Sequence, residues 1–247
     1  MPRRLVSMIT ALLILLGPGA FVRSALADDR VDLLLVLAAD ISRSVDDRKF
    51  RLQREGYAAA MTDPRVVRAM AGGPMRRIAI CFMEWAGDTD QAVVMDWTSV
   101  GNADEAAAVA KRIRDAPRAF MGRTSISAAI DYSLALMARS PFQSDRRVID
   151  VSGDGTNNSG RPVTEARDGA LAQGVTINGL VILSEIPLAT NPMHTHPPGG
   201  LTQYYEKNVI GGPGAFVVEA ESFEAFGQLL ISKLIKEIAE AKSGDRG

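Results

Sequence analysis

The sequence predicts an open, doubly wound, Rossmann-like α/β domain: a mostly parallel six-stranded sheet with one antiparallel edge strand and helices on both faces. Three observations lead there. Apolar runs of strand length recur along the chain, most of them near-continuous Val, Ile and Leu, the pattern of parallel strands covered on both faces. Helical patterns fill the gaps between them, and strand followed by helix, repeated, is the signature of a doubly wound sheet. The chain has 247 residues, 47% hydrophobic and 23% charged, enough for one domain with a full core and no staples.

The first 27 residues stand apart from that domain. Arg3 and Arg4 precede an uncharged run, Leu5 to Val22, and Ala25-Leu26-Ala27 supplies the small-x-small pattern that signal peptidases cut. The run is long enough to cross a bilayer, but Gly17-Pro18-Gly19 interrupts it. A cleaved export signal over 1–27 is therefore expected. It implies a periplasmic or secreted mature protein without a membrane span. Its removal takes away Arg3, Arg4 and Arg23 and leaves 25 basic against 29 acidic residues, a formal charge of about −4. That balance excludes the basic surface a nucleic-acid partner needs. The single Cys81 sits inside "IAICFMEW", where a buried inert thiol is expected and no internal disulfide can form.

Within residues 28–242 the strands are read in order as Val31 to Ala39, Arg77 to Trp85, "QAVVMDW" from Gln91, Arg147 to Ser152, Val175 to Leu183 and Ala215 to Glu219. The Gln91 strand follows its predecessor after the short turn "AGDTD", so it pairs antiparallel at an edge. Between the strands, Phe50, Tyr57 and Met61 share one helical face, and Asn102 with Glu105 forms a capping box before "AAAVAKRI". Ile126, Ile130, Leu134 and Met137 recur at helical spacing, and Pro162 opens another helix that Gly174 ends. A last helix carries Phe223, Phe226, Leu230, Leu234 and Ile238 on one stripe. Its tail, 243–247, should fray. The Pro- and Gly-rich segment Ser184 to Gly200, with His194 and His196, reads as a long surface loop.

The chemistry gathers where the first strand gives out. "LLLVLAADISRSVDD" sets Asp40, Ser42 and Ser44 one residue apart, and the alternation of an extended run lets all three point to one spot. Carboxylate and hydroxyls without thiolate or imidazole suit a hard cation. The competing explanation makes Ser44 a helix cap. "MGRTSIS" adds Thr124 before a central helix, and "VIDVSGDGTNN" adds Asp154 just past the next strand. Thr124 or Ser125 could again be a cap, and Asp154 a turn residue.

Taken together, D-x-S-x-S, the later T and the D-G pair resemble the metal-ion-dependent adhesion site of von Willebrand factor type A (vWA) domains. The similarity runs from about Val31 to the final helix and includes "YYEKNVIGGPGAFVVEAESFEAF". More narrowly, "LQREGYAAAM", "VIDVSGDGTNN" and "VIGGPGAFV" resemble a family of exported bacterial vWA-like proteins of undefined function. The resemblance implies that Asp40, Ser42, Ser44, Thr124 and Asp154 hold Mg²⁺, Mn²⁺ or Ca²⁺, directly or through water. It implies further that the ion's open position takes a carboxylate from a protein partner. Two residues depart from the pattern: Arg43 stands where Gly is frequent, and Gly153 where Thr or Ser precedes the aspartate. Arg43, Glu84, Asn157 and Asn158 are expected at the ligand rim.

Two other readings use the same residues. A metal-dependent hydrolase would need a base near bound water, with Glu84 as the candidate, while Asp150, flanked by Ile149 and Val151, suits a structural bond. A scaffold without metal would spend the five oxygen-bearing side chains on caps and turns. No G-x-S-x-G turn or phosphate-cradling loop is present. The two histidines lack an evident third metal ligand, so loop polarity accounts for them.

Overall fold

The structure is a computed structural model and describes residues 29–239. The expected export signal at 1–27 and the tail at 243–247 lie outside the described residues. Six strands form one sheet: β1 (Leu34–Asp40), β2 (Ile78–Trp85), β3 (Gln91–Val100), β4 (Arg147–Gly153), β5 (Thr176–Ile182) and β6 (Val217–Ala220), in the order β3-β2-β1-β4-β5-β6. All neighbouring pairs are parallel except β2 with β3. The chain thus builds outward from β1 through β2 to β3, then returns to the other side of β1 for β4, β5 and β6. That reversal opens a crevice at the carboxyl ends of β1 and β4, the place where such sheets bind ligands.

Side-chain alternation divides the core into two layers. Leu33, Leu35, Leu37 and Ala39 pack beneath α1 (Asp47–Thr62), α2 (Pro64–Met70), α3 (Ala103–Asp115) and α8 (Phe223–Ala239). Leu34, Val36 and Ala38 face α4 (Ile126–Ala138), α5 (Val163–Ala172) and α7 (Gly200–Asn208). At about 1.5–3 kcal/mol for each fully buried aliphatic side chain, these layers hold the β1–β4 edge in place. Cys81 is buried among them, and burial pushes its thiol up to about 12.

Three helices depart from the sequence expectation. α2 rests on Asp63, whose side chain accepts from Arg65 N, and on Pro64 in the first turn; seven residues are too few to display a period. The 184–200 loop contains a four-residue helix, α6 (Pro192–Thr195). α7 buries only Leu201 and Tyr205, too thin a stripe to register as a helix. β3 runs on to Val100, and β6 starts two residues later than expected. The capping box at Asn102 forms with one change: Asn102 accepts from Glu105 N at 3.0 Å, but Glu105 accepts from Gly101 N at 2.8 Å.

Candidate functional site

Asp40 closes β1 and is fully buried. Its Oδ1 accepts from Ser42 N at 2.7 Å, which bends the chain so that Ser42 and Ser44 return to the same place. Their hydroxyl oxygens stand 3.1 Å apart. Ser44 Oγ donates to Asp154 Oδ1 at 2.5 Å, joining the β1 edge to the β4 edge. The second oxygen of Asp40, Oδ2, is buried with no hydrogen-bond partner among the described residues.

The caps and turns fall to other residues. α1 is capped by Asp46, which accepts from Lys49 N at 2.8 Å, so Ser44 is not its cap. α4 is capped by Ser125, which accepts from Ala128 N at 3.3 Å, so Thr124 is free of that duty. Asp154 turns away from its own loop, toward Ser44 and toward the Lys49 ammonium 3.4 Å from Oδ2. Ser44 and Thr124 each had a cap role available, and in both cases a neighbour fills it.

Backbone bonds tie the three loops together. Arg43 N donates to Gly122 O at 3.1 Å, and Asn158 N to Thr124 O at 2.8 Å. Thr124 is buried, and its Oγ1 lies 3.3 Å from His194 Nε2. Asp40, Ser42, Ser44 and Asp154 thus form one contiguous hydrogen-bonded run; Thr124 lies outside it, bonded to Asn158 and His194, and its loop meets the Asp40 turn through Arg43 N and Gly122 O. His194 was not expected here. Its ring covers Gly155, where a Cβ would stand 2.1 Å from it, and its carbonyl accepts from Thr156 N at 2.9 Å. Tyr205 is equally unexpected. A Cβ on Gly153 would meet its hydroxyl at 2.6 Å and Asp40 Oδ2 at 3.1 Å, so glycine replaces the usual Thr or Ser because a tyrosine occupies that space.

The four rim residues separate. Arg43 is exposed, its side chain outward. Glu84 is not at the rim: it is fully buried and paired with Arg54 at 2.6 Å, its other oxygen accepting from Ala119 N. β2 alternation puts it under α1, on the opposite face from Asp40. Asn157 accepts from Ser127 N at 3.0 Å and donates to Ser159 O and Arg161 O. Asn158 accepts from Thr124 N at 3.0 Å. Both asparagines tie loops together. His196 is exposed and close to Thr195 Oγ1.

Burial, and after it the charge of Asp154, push the Asp40 carboxyl up to about 7. Burial pulls His194 down and favours the neutral ring, against the attraction of Asp154, which favours the charged one. The candidate donors are two carboxylates and three hydroxyls, hard oxygens of the kind Mg²⁺, Mn²⁺ and Ca²⁺ take. No group of three or more His, Cys, Asp or Glu that could hold a metal occurs among the described residues; any ion here would lean on the hydroxyls.

The sheet order and its flanking helices define a vWA fold. Proximal thread matrix protein 1 from the mussel byssus matches with TM-score 0.59 at 13% identity, over 86% of this chain and 48% of that one. A structure of the same protein described as having a zinc-occupied MIDAS motif matches with TM-score 0.56 at 13% identity, over 85% and 47%. The pilus adhesin SpaC from Lactobacillus rhamnosus GG gives 0.59 at 15% identity, over 83% and 30%. A von Willebrand factor type A protein from Catenulispora acidiphila gives 0.55 at 13%, over 85% and 43%. This chain spans less than half the length of each. A family model described as "Protein of unknown function (DUF1194)" matches residues 30–242, and the chain belongs to that family. No curated protein matches it.

Proposed function

We propose that this chain is an exported vWA-like binding protein. It holds a divalent cation, Mg²⁺, Mn²⁺ or Ca²⁺, with Asp40, Ser42, Ser44, Thr124 and Asp154, and through that ion it recognises a carboxylate on a protein partner. The observation that carries the reading is the Asp40 turn: Oδ2 of Asp40 is buried with no hydrogen-bond partner among the described residues, Oδ1 takes Ser42 N, and the same turn brings two hydroxyls 3.1 Å apart. An unpaired buried charge is costly, and a cation meets that need. With at most two anionic donors, the bound ion would keep positive charge and supply electrostatic attraction for an incoming carboxylate. A cleft of about 310 Å³ lies beside Lys49, which faces Asp154; it is lined also by Leu183, Ile186, Phe223 and the acidic Glu185, Glu221 and Glu224, and by none of the five proposed ligands. The structural neighbours described as a pilus adhesin and as having a zinc-occupied MIDAS motif support the same reading.

The hydrolase reading loses its base, because Glu84 is committed to Arg54 beneath α1. The scaffold reading loses its caps, which belong to Asp46 and Ser125. Calorimetry with Mg²⁺ or Mn²⁺ tests the proposal: uptake near one ion per chain, abolished by Asp40→Ala, is expected. Capture of a partner from envelope extract should be lost both in EDTA and in Asp40→Ala. Uptake unchanged by Asp40→Ala would refute it.

A further inference from the structure

His194 is 2% exposed although its neighbour Met193 is 56% exposed and His196 faces solvent. A histidine buried in a Pro- and Gly-rich surface segment needs polar partners, and it has them on both ring nitrogens. Nδ1 lies 3.3 Å from Asn158 Nδ2 and 3.4 Å from Thr156 Oγ1, and Nε2 lies 3.3 Å from Thr124 Oγ1. The tautomer follows from Asn158. Its Oδ1 accepts from Thr124 N at 3.0 Å, which turns its NH₂ toward the histidine. A donor facing Nδ1 makes that nitrogen the acceptor and leaves the ring proton on Nε2. Nε2–H then donates to Thr124 Oγ1. A nitrogen that carries this proton cannot ligate an ion.

We infer that His194 is a positioning residue of the candidate metal site: through Nε2–H it holds the Thr124 hydroxyl in place, leaving that oxygen a second lone pair for the ion. This rests on the reading of Thr124 as a ligand. It gives the 184–200 segment a role, since the segment brings in the side chain that anchors the one proposed ligand outside the Asp40–Asp154 hydrogen-bonded run. Gly155 is part of the device, because any side chain there would displace the ring. Outer partners of this kind typically change metal affinity about 10- to 100-fold when removed.

Two measurements decide it. Nitrogen-15 NMR of the histidine ring, on protein without added metal, should show the proton on Nε2, and Thr124→Val should shift Nε2 much more than Nδ1. A proton on Nδ1, or an Nε2 signal indifferent to Thr124→Val, overturns the inference. In Mn²⁺ titrations, His194→Ala should weaken binding about 10-fold or more, and His194→Gln, whose amide N–H can reach the Nε2 position, should recover most of it. Wild-type affinity in His194→Ala overturns the inference, as does failure of the glutamine to rescue. A loss confined to Zn²⁺ would make His194 a direct ligand and overturn it equally. Absence of Mn²⁺ uptake by the wild type would defeat the metal site itself; the ring-nitrogen result, which needs no metal, still decides whether His194 holds Thr124.

Discussion

Two pairs of buried acids share this sheet and are treated differently. Asp150, mid-strand on β4 opposite Leu37, meets Glu237 of α8, and the fully buried Lys233 closes the pair: its ammonium is 2.6 Å from Asp150 and also donates to Glu237. Asn178 Nδ2 adds a bond to Glu237 at 2.9 Å. Asp40 and Asp154, at the carboxyl edge, have no such core cation. Lys49 reaches only Asp154, at 3.4 Å and with its side chain 26% exposed; Asp40 Oδ2 has no hydrogen-bond partner, and neither do Asp150 Oδ2 and Glu237 Oε2, so the two pairs differ in the cation beside them and not in their unpartnered oxygens. Burial followed by a neighbouring carboxylate pushes both Glu237 and Asp40 up to about 7. One pair has a buried ammonium on both of its acids, and the other has the partly exposed Lys49 on only one of its two.

The comparison breaks most visibly at Lys233. Lys233→Met leaves two buried acids without their ammonium and should lower the unfolding free energy by about 3–5 kcal/mol in urea titrations. A loss under about 1 kcal/mol would mean that the cluster is not closed by that lysine.

The pH response comes next. Asp40 and Glu237 have folded values near 7, above their ordinary 3.8 and 4.5, so their protons stabilise the fold. That contribution is complete below the ordinary values and is lost as pH rises through 7. The melting temperature of metal-free protein should therefore fall between about pH 4 and 7 and then level off. Asp40→Asn should remove part of the slope, up to about 4 kcal/mol for the full shift, and Glu237→Gln another part. Mg²⁺ should replace only the part due to Asp40. Relief of the Glu237 part by Mg²⁺ would erase the distinction drawn between the two pairs.

Smaller effects refine the edge site. Ser42→Ala or Thr124→Val should weaken Mn²⁺ binding about 10-fold, roughly 1.4 kcal/mol, without changing the number of ions bound. Lys49→Met removes a cation that competes for Asp154 and should tighten metal binding a few-fold, less than about 1 kcal/mol. Weaker binding in that variant would instead make Lys49 a support of the site.

Much of this was legible in the order of residues. The apolar runs from Leu34, Ile78, Arg147 and Thr176 became parallel strands because continuous Val, Ile and Leu suits a strand buried on both faces. Asp40, Ser42 and Ser44 could be grouped because an extended run alternates its side chains and ends at the sheet's binding edge; Thr124 and Asp154 were added through the resemblance to the vWA adhesion site. Glu84 was misplaced because sequence shows that a residue ends a strand but not which face it takes when the whole run is apolar. Its partner Arg54 comes from a helix turn 30 residues away. His194 and Tyr205 were missed for a related reason. Each reaches the site through a tertiary approach to a glycine, Gly155 or Gly153, and such approaches leave no periodic mark. Gly153, the departure from the expected pattern, was the available signal that something large stood nearby.

The most direct test of the account is a crystal structure of the protein with Mn²⁺, located by its anomalous scattering. A single strong peak is expected within about 2.5 Å of Asp40 Oδ2 or of a water it holds, with Ser42 and Ser44 Oγ as neighbours and none in the Asp150–Lys233–Glu237 cluster. A peak elsewhere, or no peak at saturating Mn²⁺ with the Asp40 edge intact, would contradict it.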